Sequence, residues 1–178
     1  MRIQTESSVL LLVDVQEKLY PHMANKEVLN QKITTLLKGG QALGLPLLAA
    51  RQYPQGLGDT IEELRPYFTG YYDKTTFSCC GNADLIGRLQ ETGCKYVIIA
   101  GIEAHICVLQ TVIDLKTLGF LPVVVTDAIS SRNQRDYEIA LHRMEYEGAI
   151  LTTVESIVFE LCRQAGSEAF KTISRLVK

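Results

Sequence analysis

The chain alternates between short apolar runs and longer stretches in which apolar residues recur every three or four positions. Residues 8–13, Ser-Val-Leu-Leu-Leu-Val, form the first run, with Asp14 at its carboxyl end. A run without polar interruption suits a strand buried on both faces, as in a parallel sheet. From Glu27 onward, Val28, Leu29, Ile33, Leu36 and Leu37 mark one face of a helix that weakens at Gly39 and Gly40 and stops by Gly44. A second strand follows over 45–50, with Pro46 near its start, where a missing N–H is tolerated. Residues 53–58 read as an irregular loop, 61–64 as a helical turn and 71–77 as a short strand. Further strands are predicted over 96–100, 121–126 and 149–152. Helices are predicted over 82–92, from Cys107 to Gly119, and over 136–147, 155–164 and 167–176. This alternation predicts a single α/β domain over 1–178. Its architecture is a three-layer α/β/α Rossmann-like fold with a mainly parallel sheet of about six strands.

One stretch organises the rest: 97–108, Val-Ile-Ile-Ala-Gly-Ile-Glu-Ala-His-Ile-Cys-Val. Its apolar run breaks at Gly101. Cys107 follows, and Leu109, Val112, Ile113 and Leu118 then recur at helical spacing. Read this way, the thiol stands in the first turn of a helix. Unpaired N–H groups and a partial positive charge there favour the thiolate, the reactive form of cysteine. A free cysteine is also an ordinary small buried hydrophobe. The rest of the chain decides between the two.

In an open α/β sheet, ligands sit outside the carboxyl ends of strands where the winding direction switches. That topology brings Asp14 and Cys107 to one crevice. Lys74 approaches from the outer side of the sheet with a side chain long enough to reach inward. The lysine ammonium stabilises a thiolate, while the carboxylate holds the lysine, takes the thiol proton and later activates water. Singly, each has a plain structural role, Asp14 as a cap and Lys74 as a solvated charge. The combination is harder to explain away.

Composition narrows the class. The chain has 178 residues, 47% hydrophobic and 21% charged, in the ordinary range for globular domains. A net charge of −2 without a basic block argues against nucleic acid and anionic membranes as partners. No apolar run is long enough to span a bilayer. The start of the chain lacks the apolar core of a signal peptide. Five cysteines, at 79, 80, 94, 107 and 162, then predict free thiols and a cytoplasmic location. The three histidines are scattered, no Cys/His pair has zinc spacing, and neither a metal nor a cofactor is expected. Asp14-Val-Gln-Glu stands where a dinucleotide-binding glycine motif would follow the first strand.

Four segments carry a resemblance: Leu-Leu-Val-Asp14-Val-Gln16, Asp73-Lys74-Thr-Thr-Phe77-Ser78, Gly101-Ile-Glu-Ala-His-Ile-Cys107-Val, and Val125-Thr-Asp127-Ala128-Ile-Ser130-Ser131-Arg132. Together they resemble the isochorismatase-like cysteine hydrolases, a family that includes nicotinamidases and N-carbamoylsarcosine amidohydrolases. The similarity runs from Leu10 to about Phe159. With Gln52-Tyr53-Pro54-Gln-Gly56-Leu57-Gly58, the chain is most similar to the isochorismatase domain-containing branch. The resemblance implies a catalytic triad of Asp14, Lys74 and Cys107 and a cis peptide at Ile102–Glu103. It also implies an oxyanion hole from the backbone N–H groups of Glu103 and Cys107. It further implies a small-molecule substrate, cleavage of a C–N bond through a thioester, and a homo-oligomer. The alternative is a small-molecule-binding or partner-subunit member with little activity. Nicotinamidases bind a metal through an Asp-x-His pair after the second strand. Arg51-Gln52-Tyr53 stands in that place, so a metal-dependent nicotinamidase is not expected.

Pocket-lining candidates are Gln16, Tyr20, Tyr53, Phe77 and His105. His105 lies two positions from Cys107, and side chains so spaced on a helix do not face each other, so no Cys–His dyad is expected. Glu103 is assigned to local structure or substrate contact. Asp127 is read as tying down the loop after its strand. The other four cysteines are assigned to packing.

Overall fold

The computed structural model describes residues 2–178. Its centre is a six-stranded sheet of β1 (Ser8–Val13), β2 (Leu47–Gln52), β3 (Tyr72–Lys74), β4 (Tyr96–Ile102), β5 (Leu121–Ser130) and β6 (Ile150–Thr152). The strands lie in the order β3-β2-β1-β4-β5-β6, and every neighbouring pair is parallel. The helices are α1 (Lys26–Ala42), α2 (Pro54–Leu57), α3 (Ala83–Glu91), α4 (Leu109–Thr117), α5 (Gln134–Tyr146), α6 (Val154–Cys162) and α7 (Glu168–Leu176).

The unbroken apolar strands follow from burial on both faces. Leu10 and Leu12 of β1, with Ile98, Ala100, Val123 and Val125, pack under Leu29, Ile33 and Leu36 of α1, Val158 of α6 and Ile173 of α7. Val9, Leu11 and Val13, with Val97, Ile99 and Val124, pack under Leu85 of α3, Val112 and Leu115 of α4 and Met144 of α5. Successive residues point to opposite faces, so a strand between two helical layers must be apolar at every position.

Several boundaries differ from the sequence reading. β4 runs on to Ile102, and β5 continues to Ser130, so Asp127 lies within a strand rather than at its end. The predicted 71–77 strand is only Tyr72–Lys74; beyond Lys74 the chain is pulled into turns whose carbonyls serve the Lys74 ammonium. Pro54 opens the short helix α2 inside the predicted 53–58 loop. Helix α1 passes through its two glycines because a Cβ at Gly39 would lie 2.9 Å from Val158 and one at Gly40 3.1 Å from Leu47. Among the described residues, no helix is long and apolar enough to cross a membrane.

The chain winds outward in both directions from the β1/β4 pair, which makes their carboxyl ends the switch point of the sheet. Gly101 makes this junction possible. Its φ is +126°, and a Cβ there would stand 2.1 Å from the backbone oxygen of Val13. The pairing of β4 with β5 also shifts register between Ile99 and Gly101. Replacing Gly101 with Ala therefore forces β1 and β4 apart one residue before Asp14. We expect Gly101→Ala to lose at least about 3 kcal/mol of stability, combining the φ penalty with a backbone clash. Urea denaturation would measure it, and a loss under about 1 kcal/mol would contradict the close approach.

Candidate active site

Asp14 leaves β1 in a left-handed conformation, φ 52°, and its side chain is fully buried. Its Oδ2 accepts a 2.7 Å hydrogen bond from Lys74 Nζ, with both side chains shut from solvent. Lys74 approaches from the outer side of the sheet, as the sequence reading expects, although it ends the edge strand β3 instead of standing within it. Its ammonium also donates to Gln52 Oε1 at 2.7 Å, to the Phe77 carbonyl at 2.8 Å and to the Thr76 carbonyl at 3.2 Å. Three N–H bonds thus share four acceptors. This many partners compensates the removal of an ammonium from water.

Gln52 is the site residue that sequence reasoning missed as a contributor. It ends β2, bonds Lys74 through its amide oxygen and donates from Nε2 to the Thr75 carbonyl at 2.8 Å. Gln16 fixes it in turn. Gln16 Oε1 accepts the Gln52 backbone N–H at 2.7 Å, while Gln16 Nε2 donates to the Gln52 and Gly58 carbonyls. Gln16 is fully buried and bonded to backbone, so it lines no pocket and serves as a clamp on the end of β2.

Cys107 reaches the cluster from the other side of the sheet's switch point. It stands in a π-helical turn, Ala104–Val108, and α4 proper begins only at Leu109. The expected position in the first turn of the α-helix is therefore corrected by one turn. The peptide Ile102–Glu103 is cis. The Glu103 carbonyl accepts from the amides of Ile106 and Val108 and passes over that of Cys107 between them. Cys107 is 6% exposed, and its thiol interacts with the Asp14 carboxyl. Asp14 Oδ1 has no hydrogen-bond partner within normal limits.

The electrostatics overturn one expectation. Burial, then the Asp14 charge, pushes the Cys107 thiol up to about 12, and Lys74 offsets only part of this. The balance therefore runs against the resting thiolate that the sequence reading expects. Burial also raises the Asp14 carboxyl above its ordinary value against the opposing pull of Lys74.

The remaining candidates separate. Glu103 is buried, and Arg132 grips it through Nη2 at 2.6 Å, Nε at 3.0 Å and the backbone N–H at 3.1 Å. Burial works against the Glu103 charge, but these bonds outweigh it and hold the carboxyl below its usual range. His105 Nδ1 pairs with Ser131 Oγ at 2.9 Å rather than with Cys107. Asp127 binds Lys32 of α1 and the backbone N–H of Val154, and so ties the start of α6 rather than its own following loop. Tyr20 packs against the core and donates to the Lys26 carbonyl. Tyr53, 53% exposed, lines a cavity of about 380 Å³ with Pro54, Lys74, Thr76 and Asn82. The Phe77 ring is 54% exposed, and its contribution to the cluster is a backbone carbonyl. Among the described residues no group of His, Cys, Asp and Glu is arranged to hold a metal ion. Arg51 bonds Asp73 and Asp59 at the end of β2.

A three-layer α/β protein with a buried carboxylate–ammonium pair beside a thiol at the switch point of its sheet is a recognisable class. The isochorismatase domain model matches residues 8–156. Isochorismatase domain-containing protein 2A of Mus musculus is 40% identical, over 99% of this chain and 85% of its own. The MAR1 ribonuclease structure from Caenorhabditis elegans is 35% identical, with a TM-score of 0.93, covering 99% of this chain and 92% of that one. The Escherichia coli ycaC product, described as an octameric hydrolase of unknown specificity, is 25% identical with a TM-score of 0.93. That match covers 99% of this chain and 89% of that one. The chain belongs to the isochorismatase family of hydrolases.

Removing Lys74 leaves a buried carboxylate without its cation. We expect Lys74→Met to lose about 3–5 kcal/mol at pH 8. Asp14 has a raised folded-state pKa, and without Lys74 it rises further, so the folded protein takes up a proton as pH falls. The deficit should then shrink as pH drops through that raised value, which urea denaturation at pH 8 and pH 5 would show. An equal deficit at both would mean Asp14 is uncharged in the wild type.

Proposed function

We propose that the protein is a cysteine hydrolase that cleaves a C–N bond in a small amide-type substrate. One observation carries this reading: Asp14 commits Oδ2 to Lys74, leaves Oδ1 unpartnered, and its carboxyl interacts with the Cys107 thiol. A buried acceptor without a donor is costly unless something uses it. A general base awaiting the thiol proton is such a use.

The steps balance in atoms. Asp14 takes the thiol proton as Cys107 Sγ attacks the substrate carbonyl carbon and the carbonyl π pair moves to oxygen. The N–H groups of Glu103 and Cys107 receive that oxyanion. Its collapse breaks the C–N bond, the proton on Asp14 passes to the leaving nitrogen, and a thioester remains. Water, deprotonated by Asp14, attacks the thioester; the acid leaves and the proton returns to Cys107. Lys74 fixes the Asp14 carboxyl throughout. A homo-oligomer fits this reading, since the ycaC relative is described as octameric, and five free cysteines suit a cytoplasmic location.

Screening small amides and ureas, with mass spectrometry for an adduct on Cys107, tests the proposal. Cys107→Ala should abolish both turnover and adduct; retained turnover would sink the mechanism. A screen with neither would favour the binding-protein alternative. The Caenorhabditis elegans neighbour is described as a ribonuclease, which supplies a second reading, phosphodiester cleavage. RNA cleavage by the wild type that survives in Cys107→Ala would favour it.

Asp14→Asn separates the two jobs of the carboxylate. It removes the charge that raises the thiol while Lys74 remains, so iodoacetamide should label Cys107 at pH 7.5 at least about tenfold faster. Turnover should fall by about 100-fold or more with the base gone. Slower labelling would show that Asp14 does not hold the thiol neutral.

A further inference from the structure

Thr111 lies on α4, outside every motif considered above, and is fully buried. Its Oγ1–H donates to the Cys107 carbonyl at 2.6 Å. Taken alone this is the ordinary helical back-bond of a threonine to the carbonyl four residues earlier. Thr117, on the exposed side of the same helix, makes the same bond to Ile113 at 3.1 Å and nothing else. Thr111 differs because its oxygen also accepts the backbone N–H of Cys79 at 2.9 Å, from a segment 32 residues away.

That segment is the one that holds Lys74. The carbonyls of Thr76 and Phe77 accept the Lys74 ammonium, and Thr76 Oγ1 donates to the Ser78 carbonyl, closing the turn that leads into Cys79. A continuous path therefore runs from the Lys74 ammonium through the Phe77 carbonyl, the backbone of Ser78, the Cys79 N–H and the Thr111 hydroxyl to the Cys107 carbonyl. The sheet does not supply this connection. β3 and β4, which bear Lys74 and lead to Cys107, are separated by β2 and β1. The turn bearing Cys107 is π-helical, so its Glu103 carbonyl serves Ile106 and Val108 and an irregular backbone needs a separate anchor.

We propose that Thr111 is a positioning residue whose single hydroxyl locks the turn carrying Cys107 to the turn that holds the Lys74 ammonium. The inference rests on the reading of Cys107 as nucleophile and adds how its register against Lys74 and Asp14 is set. A side chain of the same shape without the hydroxyl frees the Cys107 carbonyl and the Cys79 N–H together. The two turns then move independently, and the thiol departs from the carboxylate that holds it neutral.

The test uses the full chain and iodoacetamide, and so needs no identified substrate. Thr111→Val should raise the labelling rate of Cys107 at pH 7.5 at least about fivefold and speed deuterium exchange in a peptide covering 76–80. Thr111→Ser, which keeps the hydroxyl, should restore both to within twofold of wild type. Thr117→Val, which removes only a local back-bond, should change neither. Should Thr111→Val not fold, Thr111→Cys, with a weak donor and acceptor at the same point, should move both readouts in the same direction. Wild-type labelling and exchange in the hydroxyl-free variant would overturn the proposal. So would Thr111→Ser behaving like Thr111→Val, since the packing and not the hydroxyl would then matter. Retained turnover in Cys107→Ala removes the nucleophile itself, whatever Thr111 does. If Cys107→Ala is inactive while Thr111→Val matches wild type, the positioning role alone is wrong.

Discussion

A carboxylate and an ammonium, both removed from water, set the terms for this molecule. The Asp14–Lys74 pair lies 2.7 Å apart with essentially no solvent contact, and desolvating two ions costs several kcal/mol each before any attraction is counted. Neighbouring structure can be read as compensation. β3 stops at Lys74 because the chain beyond it must turn its Thr76 and Phe77 carbonyls back toward the ammonium. The glutamine that ends β2 supplies a neutral acceptor, and Gln16 uses its amide group to hold that glutamine's backbone and the Gly58 carbonyl. The pair organises three loops that share no sequence proximity.

Compensation is incomplete on one side, and that is where the chemistry enters. Lys74 has more acceptors than hydrogens, whereas Asp14 is one donor short at Oδ1. For stability alone, a fixed hydroxyl or amide would satisfy that oxygen. A thiol in its place gives a weaker donor that can surrender its proton. Gly101 is part of the same arrangement, since only the absence of a side chain lets β4 lie against the end of β1 and deliver the Cys107 turn beside Asp14.

The architecture was largely legible in the hydrophobic pattern, because strands buried on two faces must be apolar throughout and helices buried on one face must be periodic. The convergence of Asp14 and Cys107 followed from a topological rule: β1 and β4 are neighbours, and both end at the switch point. What the pattern could not carry were bonds without a period. Gln52 to Lys74 spans 22 residues, Arg132 to Glu103 spans 29 and Thr111 to Cys79 spans 32, each made by isolated polar side chains. The π-helical turn was hidden for a similar reason. Leu109 and Val112 keep helical spacing whether the residues before them are wound as α or π. Gln16 misled in the opposite sense: a polar residue next to Asp14 suggests a pocket, yet its three bonds all go to backbone.

From sequence the thiol looks anionic because two local influences, the helix terminus and the lysine, both favour the anion. Burial and the Asp14 charge act the other way and prevail. The consequence for the proposed chemistry is economical. A standing thiolate next to Asp14 would place two negative charges in a site with one cation, and a low-dielectric interior resists that. Holding the proton between thiol and carboxylate keeps the site at one negative and one positive charge until a carbonyl group arrives. The negative charge then moves from Asp14 through sulfur to the substrate oxygen as the proton moves the other way, so the net charge of the buried cluster never changes during the attack. Lys74 can remain in one position for the whole cycle, and this is the role its four fixed acceptors suit.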